Sequence, residues 1–455
     1  MGISARELAA ATPASRDRYV DLLRVASLGV VVLGHWLMAV VGADGQVNNL
    51  LAVVPWLQGV TWGLQVMPVF FFVGGFSHAL AYRSRPRYAA FLRARLQRLL
   101  RPTMVFVGVW GAAALLLQLV GGDDGLTGVA LRLVAQPLWF IGIYLAMVAL
   151  TPPLLRLHER YGWGAFALLV GGAVAVDVLR FAAGVPFVEF LNFAFVWLAV
   201  HQLGFLRADG RIRRPAVLAT AGLVGAGLLV ALGPYPLSMV GMPGEKVSNM
   251  APPTLALLCH GLWLVGAVEL CRGPGARFAA RAGVWHKVVL ANGVAMTAFL
   301  WHLTAMLGVY GAMLALGLEP PEPATAAWWA QVPPRIVAAA LLTALLVAAF
   351  RGFERPSPPA RASAPAASAA APPARASGPT ASASAPARGP RRAPLAALGA
   401  TLALFGVLGL SMTGFGGLLE GHAATLIAVP VTAPVAVATA LLGWLLVERA
   451  GRTHR

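Results

Sequence analysis

The stretch Arg16-Asp17-Arg18-Tyr19-Val20-Asp21-Leu22-Leu23-Arg24-Val25-Ala26-Ser27-Leu28-Gly29-Val30-Val31-Val32-Leu33-Gly34-His35-Trp36 decides the fold. From Val20 onward it has the apolar character of a membrane helix, yet it holds an arginine near its start and a histidine deep inside. At about 100° per residue, the eleven positions from Arg24 to His35 make three turns plus roughly 20°, so both side chains share a stripe, about 16 Å apart along the axis. Asp21, three residues before Arg24, is placed to pair with it. Hydrocarbon penalises such groups, so this face is expected to look into the protein or a wet cavity. Taken singly, each residue has a simpler reading: a snorkelling arginine, or a core histidine bonded to a neighbouring helix. The shared face weighs against two such accidents, and a neutral imidazole in a low-dielectric pocket is a competent general base.

Composition sets the class. The chain is 58% hydrophobic and 11% charged, against roughly 25% charged residues in soluble domains. Apolar runs of spanning length recur near 20–41, 60–82, 102–120, 137–155, 163–180, 188–206, 215–233, 253–271, 286–315 and 328–350, with two more near 394–416 and 423–447. An all-α polytopic membrane bundle is expected, with a ten-helix body over 20–350. The net charge of +18 comes from basic residues in short segments between apolar runs, the pattern of positive inner loops rather than of a nucleic-acid face. Cys259 and Cys271 fall in one apolar run, about 18 Å apart if helical, and cannot bridge each other. No cysteine or histidine spacing fits a metal site, so no metal is expected.

With residues 1–19 as a cytoplasmic tail, the inner connections collect Arg83 to Arg101, Arg156 and Arg160, Arg207 to Arg214, and Arg272 to Lys287. The outer ones hold Asp44, Asp123, Asp124, Glu245 with Lys246, Glu319 and Glu322. This segregation predicts both termini cytoplasmic in the plasma membrane. Residues 351–393 are mostly Pro, Ala, Ser and Arg and read as a disordered linker. It precedes a two-helix appendage over 394–447, with an outer turn at Gly414-Phe415-Gly416-Gly417, and a cytoplasmic tail over 448–455.

Three further constellations carry possible chemistry. The basic segment Arg83 to Arg101 contains Arg95, Arg98 and Arg101 ahead of Pro102, which should end or kink a helix there. Guanidinium forks suit coenzyme phosphates, although for the segment by itself topology control and contact with anionic membrane lipids are the simpler and favoured explanation. The aromatic run Val69 to His78 contains Phe71 and the adjacent Gly74 and Gly75, which allow close helix packing or a ligand groove. Intramembrane His201, His260, Glu269 and His302, with Trp139 and Tyr144 in Pro137 to Tyr144, complete the candidates. Singly, each is better read as a packing contact.

Asp21-x-x-Arg24, ten residues, then His35; an aromatic helix ending Phe-Phe-x-x-small-Gly-Phe; Arg98-x-x-Arg101 before proline; and a Pro-Leu-Trp-Phe helix together resemble the acyltransferase-3 family of membrane acyltransferases. The resemblance covers about residues 16–350, with its specific motifs within 18–145. It implies acyl transfer, usually of acetyl, from acyl-coenzyme A as co-substrate to a hydroxyl on a carbohydrate, lipid-linked sugar or small molecule. It further implies His35 as base, Arg24 in donor handling, and Arg98 with Arg101, joined by nearby Arg95, in coenzyme binding. Asp21, Phe71, Gly74, Gly75, Trp139, Tyr144 and His302 become pocket candidates. Gly74 stands where the family often has serine, and Tyr144 stands near a place often held by a carboxylate.

The expected reaction is direct transfer: His35 takes the acceptor's proton as its oxygen attacks the thioester, with no covalent nucleophile required. A small-solute exporter is the competing class. It predicts a repeat relation between halves, which the sequence does not display. A scaffold that kept the fold and lost the chemistry is the third.

Overall fold

The computed structural model describes residues 5–13, 15–41, 47–121, 126–242, 245–354, 392–419, 421 and 423–450. Asp44, Asp123 and Asp124, residues 355–391 of the expected linker, and 451–455 of the tail lie outside these. Twelve long helices organise the chain: α1 (Arg18–Met38), α2 (Met67–Ser84), α3 (Tyr88–Leu119), α4 (Pro137–Tyr161), α5 (Trp163–Phe181), α6 (Asn192–Ala208), α7 (Pro215–Leu232), α8 (Leu255–Leu270), α9 (Ala295–Ala315), α10 (Ala326–Phe350), α11 (Arg392–Thr413) and α12 (Ala433–Ala450). Eleven of the described helices are long and apolar enough to cross a membrane alone. The twelfth, α8, qualifies only with Arg272–Ala280, from which it is bent by 59°.

Several boundaries differ from expectation for identifiable reasons. The basic segment and third span form one helix, α3, with Pro102 inside it. Proline removes only its own N–H, and Thr103 Oγ1 donates to the Leu99 carbonyl beside the gap at 2.7 Å. The second span runs from Pro55 to Ser84, and its first part is the short turns Pro55–Val60 and Thr61–Leu64 rather than continuous α-helix. The run 286–315 divides into Ala282–Asn292 and α9 at Gly293. Residues 351–353 continue α10 as a 3-10 turn, and Arg392 and Ala393 already belong to α11. The start of the last apolar run is a hairpin of β3 (Ala423–Leu426) and β4 (Val429–Thr432), where β-branched residues and Pro430 disfavour helix. A second small hairpin, β1 (Ala39–Val41) with β2 (Val47–Asn49), follows α1.

Small residues fix the closest helix approaches. At the α2–α6 crossing, a Cβ on Gly75 would collide with the His201 carbonyl oxygen, and one on Gly204 with that of Phe72. The α11–α12 pair packs through Gly399, Ala403, Gly406, Ala436, Ala440 and Gly443, the small-residue pattern that draws membrane helices together. This pair lies against α4 and α3. Leu408 covers Gly142, Phe415 stacks on Trp110 at 6.5 Å, and Glu448 accepts from Arg93 at 2.9 Å and Gln97 at 2.6 Å.

Ion pairs knit one end of the bundle. Arg83 reaches Asp209 at 2.6 Å and Glu159 at 3.3 Å, while His158 meets Asp209 at 2.9 Å, joining α2, α4 and α6. Arg207 pairs with Asp17 at 2.8 Å and with Glu269 at 2.7 Å, joining α6 to α1 and α8. Glu269 is thus the partner of a buried arginine. Burial alone would raise the Asp209 carboxyl, but hydrogen bonds and charge from Arg83 and His158 outweigh it and hold the group below its ordinary value.

Candidate functional site

The stripe on α1 faces the bundle at both of its polar positions. Asp17 caps the helix by accepting from Val20 N at 3.1 Å. Asp21 is buried and accepts from Arg16 at 2.6 Å and Arg24 at 3.4 Å. Arg24 Nη2 donates to Ser77 Oγ on α2 at 2.7 Å, and the Ser77 carbonyl accepts from Arg95 Nη2 on α3 at 3.4 Å. Among the coenzyme-binding candidates, Arg95 is therefore the arginine joined to Arg24, through a serine that sequence reasoning passed over. Arg98 is exposed and Arg101 half-buried at the arginine-rich end of the bundle.

Eleven residues further along α1, His35 stacks on His302 of α9, with ring centroids 5.0 Å apart and planes 11° from parallel. His35 Nδ1 lies 2.7 Å from His302 Nε2, and His302 Nδ1 lies 2.5 Å from the Phe299 carbonyl oxygen. A carbonyl only accepts, so His302 Nδ1 carries the proton. Neutral His302 then accepts at Nε2, which makes His35 Nδ1 the donor and leaves its Nε2 as a lone pair. Among the described residues nothing hydrogen-bonds that Nε2, and the ring is half-buried rather than sealed. Trp36 Nε1 donates to the His302 carbonyl at 3.0 Å, and Glu354 anchors the start of α9 through Met296 N, Thr297 N and Thr297 Oγ1. His35 is about 25 Å along α1 from Arg18, whereas His302 is only about 10 Å along α9 from Ala295. The pair's distance from the bundle end thus depends strongly on which helix is used to count it.

Gly74 and Tyr144 face each other. A Cβ on Gly74 would sit 3.4 Å from Tyr144 Cε2 and 3.9 Å from its hydroxyl. The small residue at 74 thus leaves the space that the Tyr144 ring fills. Behind them runs a buried chain: Tyr144 Oη meets His78 Nε2 at 3.0 Å, and His78 Nδ1 meets His201 Nε2 at 3.1 Å. No local sequence signal gives His78 a role, because only the α2–α6 contact brings it to His201.

Other pocket candidates fall elsewhere. Phe71 is fully buried between Phe140 and Trp197, and Gly75 abuts the α6 backbone, so both belong to the packed core. Trp139 is half-buried on α4 beside Phe140. His260 bonds the Trp62 carbonyl at 2.8 Å, a packing contact. No group of His, Cys, Asp and Glu suited to a metal occurs among the described residues.

A family model described as an acyltransferase domain matches residues 17–351, which spans α1 to α10. The chain belongs to the acyltransferase-3 family. No curated protein and no solved structure matches it. As an acyltransferase of the membrane type it is a multi-pass transferase, and the α11–α12 pair lies beyond the family domain.

Proposed function

We propose that this acyltransferase moves an acyl group, acetyl by preference, from acyl-coenzyme A to the hydroxyl of a carbohydrate, lipid-linked sugar or small-molecule acceptor. The observation that supports this most strongly is the free Nε2 of His35. The acceptor O–H gives its proton to that nitrogen while its oxygen attacks the thioester carbonyl. The C–S bond breaks, and the imidazolium returns the proton to the departing thiolate, leaving an ester and free coenzyme A. Arg24, Ser77 and Arg95 form a polar station about 16 Å back along α1, within reach of an extended pantetheine arm whose thioester lies at His35. Exposed Arg98, with Arg101, supplies charge for the coenzyme phosphates at the mouth. Tyr144, set into the space at Gly74, adds a hydroxyl beside this path.

The arginine-rich end is taken as cytoplasmic, with both termini on that side of the plasma membrane, in keeping with the positive-inside rule and a cytoplasmic donor pool. The family match across the whole ten-helix body weighs against the exporter reading. Equilibrium binding of coenzyme A to the purified chain, with free-thiol release from acetyl-coenzyme A in the presence of hydroxyl acceptors, tests the proposal. Saturable binding and acceptor-dependent thiol release are expected. Solute flux without any coenzyme binding contradicts it.

A further inference from the structure

An arginine that no expectation anticipated lies beyond His35, away from the Arg24 station. Arg335 is nine residues into α10, about 14 Å from its first residue, a depth at which a guanidinium is costly and usually has a functional partner. Among the described residues no carboxylate pairs with it. Its charge is met instead by rings and dipoles. The guanidinium lies 4.8 Å from the Trp328 ring centroid and 5.5 Å from that of Tyr310. Nη1 donates to Tyr310 Oη at 2.6 Å, Nε to the Gln331 carbonyl at 3.3 Å, and Nη2 to the Trp328 carbonyl at 3.3 Å. A guanidinium has five N–H groups, so one on each terminal nitrogen remains for anionic oxygens.

Two neighbours on the same helical stripe are also unsatisfied. Trp328 is 1% exposed and its Nε1 has no partner; Gln331 Oε1 is buried without one. Positions 328, 331 and 335 follow helical spacing, so these groups and Arg335 share one face of α10. Leaving buried polar atoms unpaired costs roughly 1 to 3 kcal/mol each, and a ligand that satisfies them recovers this. The face connects to the histidine pair. Tyr310 Oη donates to the Ala39 carbonyl at 3.1 Å, and Ala39 caps the end of α1, its backbone N–H donating to the His35 carbonyl.

We infer that Arg335, with Trp328 and Gln331, forms the acceptor subsite and selects a hydroxyl compound that also carries an anionic carboxylate or phosphate. This rests on the acyl-transfer reading of His35 and adds the acceptor's chemical class and its approach, from the side of His35 opposite the donor station. The remaining guanidinium N–H groups take anionic oxygens while the indole N–H and the amide oxygen take polar groups of the same molecule.

Ligand-induced thermal shifts of the full-length chain in nanodiscs test this with four probes: glucuronate, glucose 6-phosphate, glucose and coenzyme A. One or both anionic sugars are expected to stabilise the protein and glucose is not, with the responding probe telling carboxylate from phosphate. Arg335→Gln should weaken the anionic response tenfold or more and leave the coenzyme response unchanged. Trp328→Phe, which keeps the ring and removes the N–H, should weaken it several-fold and serves if Arg335→Gln does not fold. Equal shifts by glucose and the anionic sugars, no shift by either anionic sugar, or an anionic response untouched in the variants overturns the inference. Loss of the coenzyme response in the unmodified chain would instead strike the acyl-transfer reading, so the two failures are separable.

Discussion

Two histidine pairs cross between helices in this bundle, and they are built to opposite ends. His35 and His302 meet at 2.7 Å between α1 and α9, and His78 and His201 meet at 3.1 Å between α2 and α6. His78 spends both ring nitrogens, on His201 and Tyr144, while His201 keeps an unpartnered Nδ1 that is sealed in, because both rings of that pair are fully buried. In the first pair the Phe299 carbonyl fixes the proton of His302, and the order that follows leaves Nε2 of half-buried His35 with a lone pair. An intramembrane histidine is a candidate base when its hydrogen bonds orient it yet leave one nitrogen open. With both nitrogens engaged, or with the open one sealed inside the core as in His201, it works as a fastener.

Substitutions can break this contrast. The largest effect is expected at His35, where His35→Ala should lower the acyl-transfer turnover by about 10² to 10⁴-fold, measured as thiol release, with coenzyme binding retained. His302→Phe keeps a flat ring but removes the nitrogen that orients His35. A loss of up to about 10²-fold in turnover is expected, with little change in the KM for acyl-coenzyme A. His78→Phe should act on stability instead. It strips His201 and Tyr144 of a partner and should cost about 2 kcal/mol in unfolding experiments, while turnover per folded molecule stays within about threefold of the parent. Equal kinetic losses at His78 and His35 would erase the distinction.

The smallest expected effect is on acid stability at the knitted end of the bundle. The Asp209 carboxyl is held below its ordinary value of 3.8, so its contribution is complete above that value and fades as pH falls through the lower folded one. Asp209→Asn should therefore lower Tm at pH 6 and flatten the fall in Tm below about pH 4.

Much of the scaffold was legible because membrane spans depend on local composition. The α1 stripe emerged from helical geometry alone, and its two polar residues do turn toward α2 and α9. Contacts across helices were much less legible. Nothing local in Phe76-Ser77-His78 shows that Ser77 meets Arg24 and Arg95, or that its neighbour reaches His201. Those meetings depend on Gly75 and Gly204 letting α2 and α6 approach. Pro102 misled because a proline signals a break more often than it makes one in a packed membrane helix. Arg335 escaped attention because its counterparts, Tyr310 and Trp328, are apolar in composition and become partners of a cation only by stacking.

The central claim is that His302 holds His35 with its proton on Nδ1, so that Nε2 is free to act as a base. Nitrogen-15 NMR of histidine-labelled protein in nanodiscs, with the His35 signals assigned by their disappearance in His35→Ala, measures this directly. A neutral ring protonated at Nδ1, losing that tautomer preference in His302→Phe, is the expected result. A His35 protonated at Nε2 in the unmodified protein would contradict the account, because that nitrogen could then only donate.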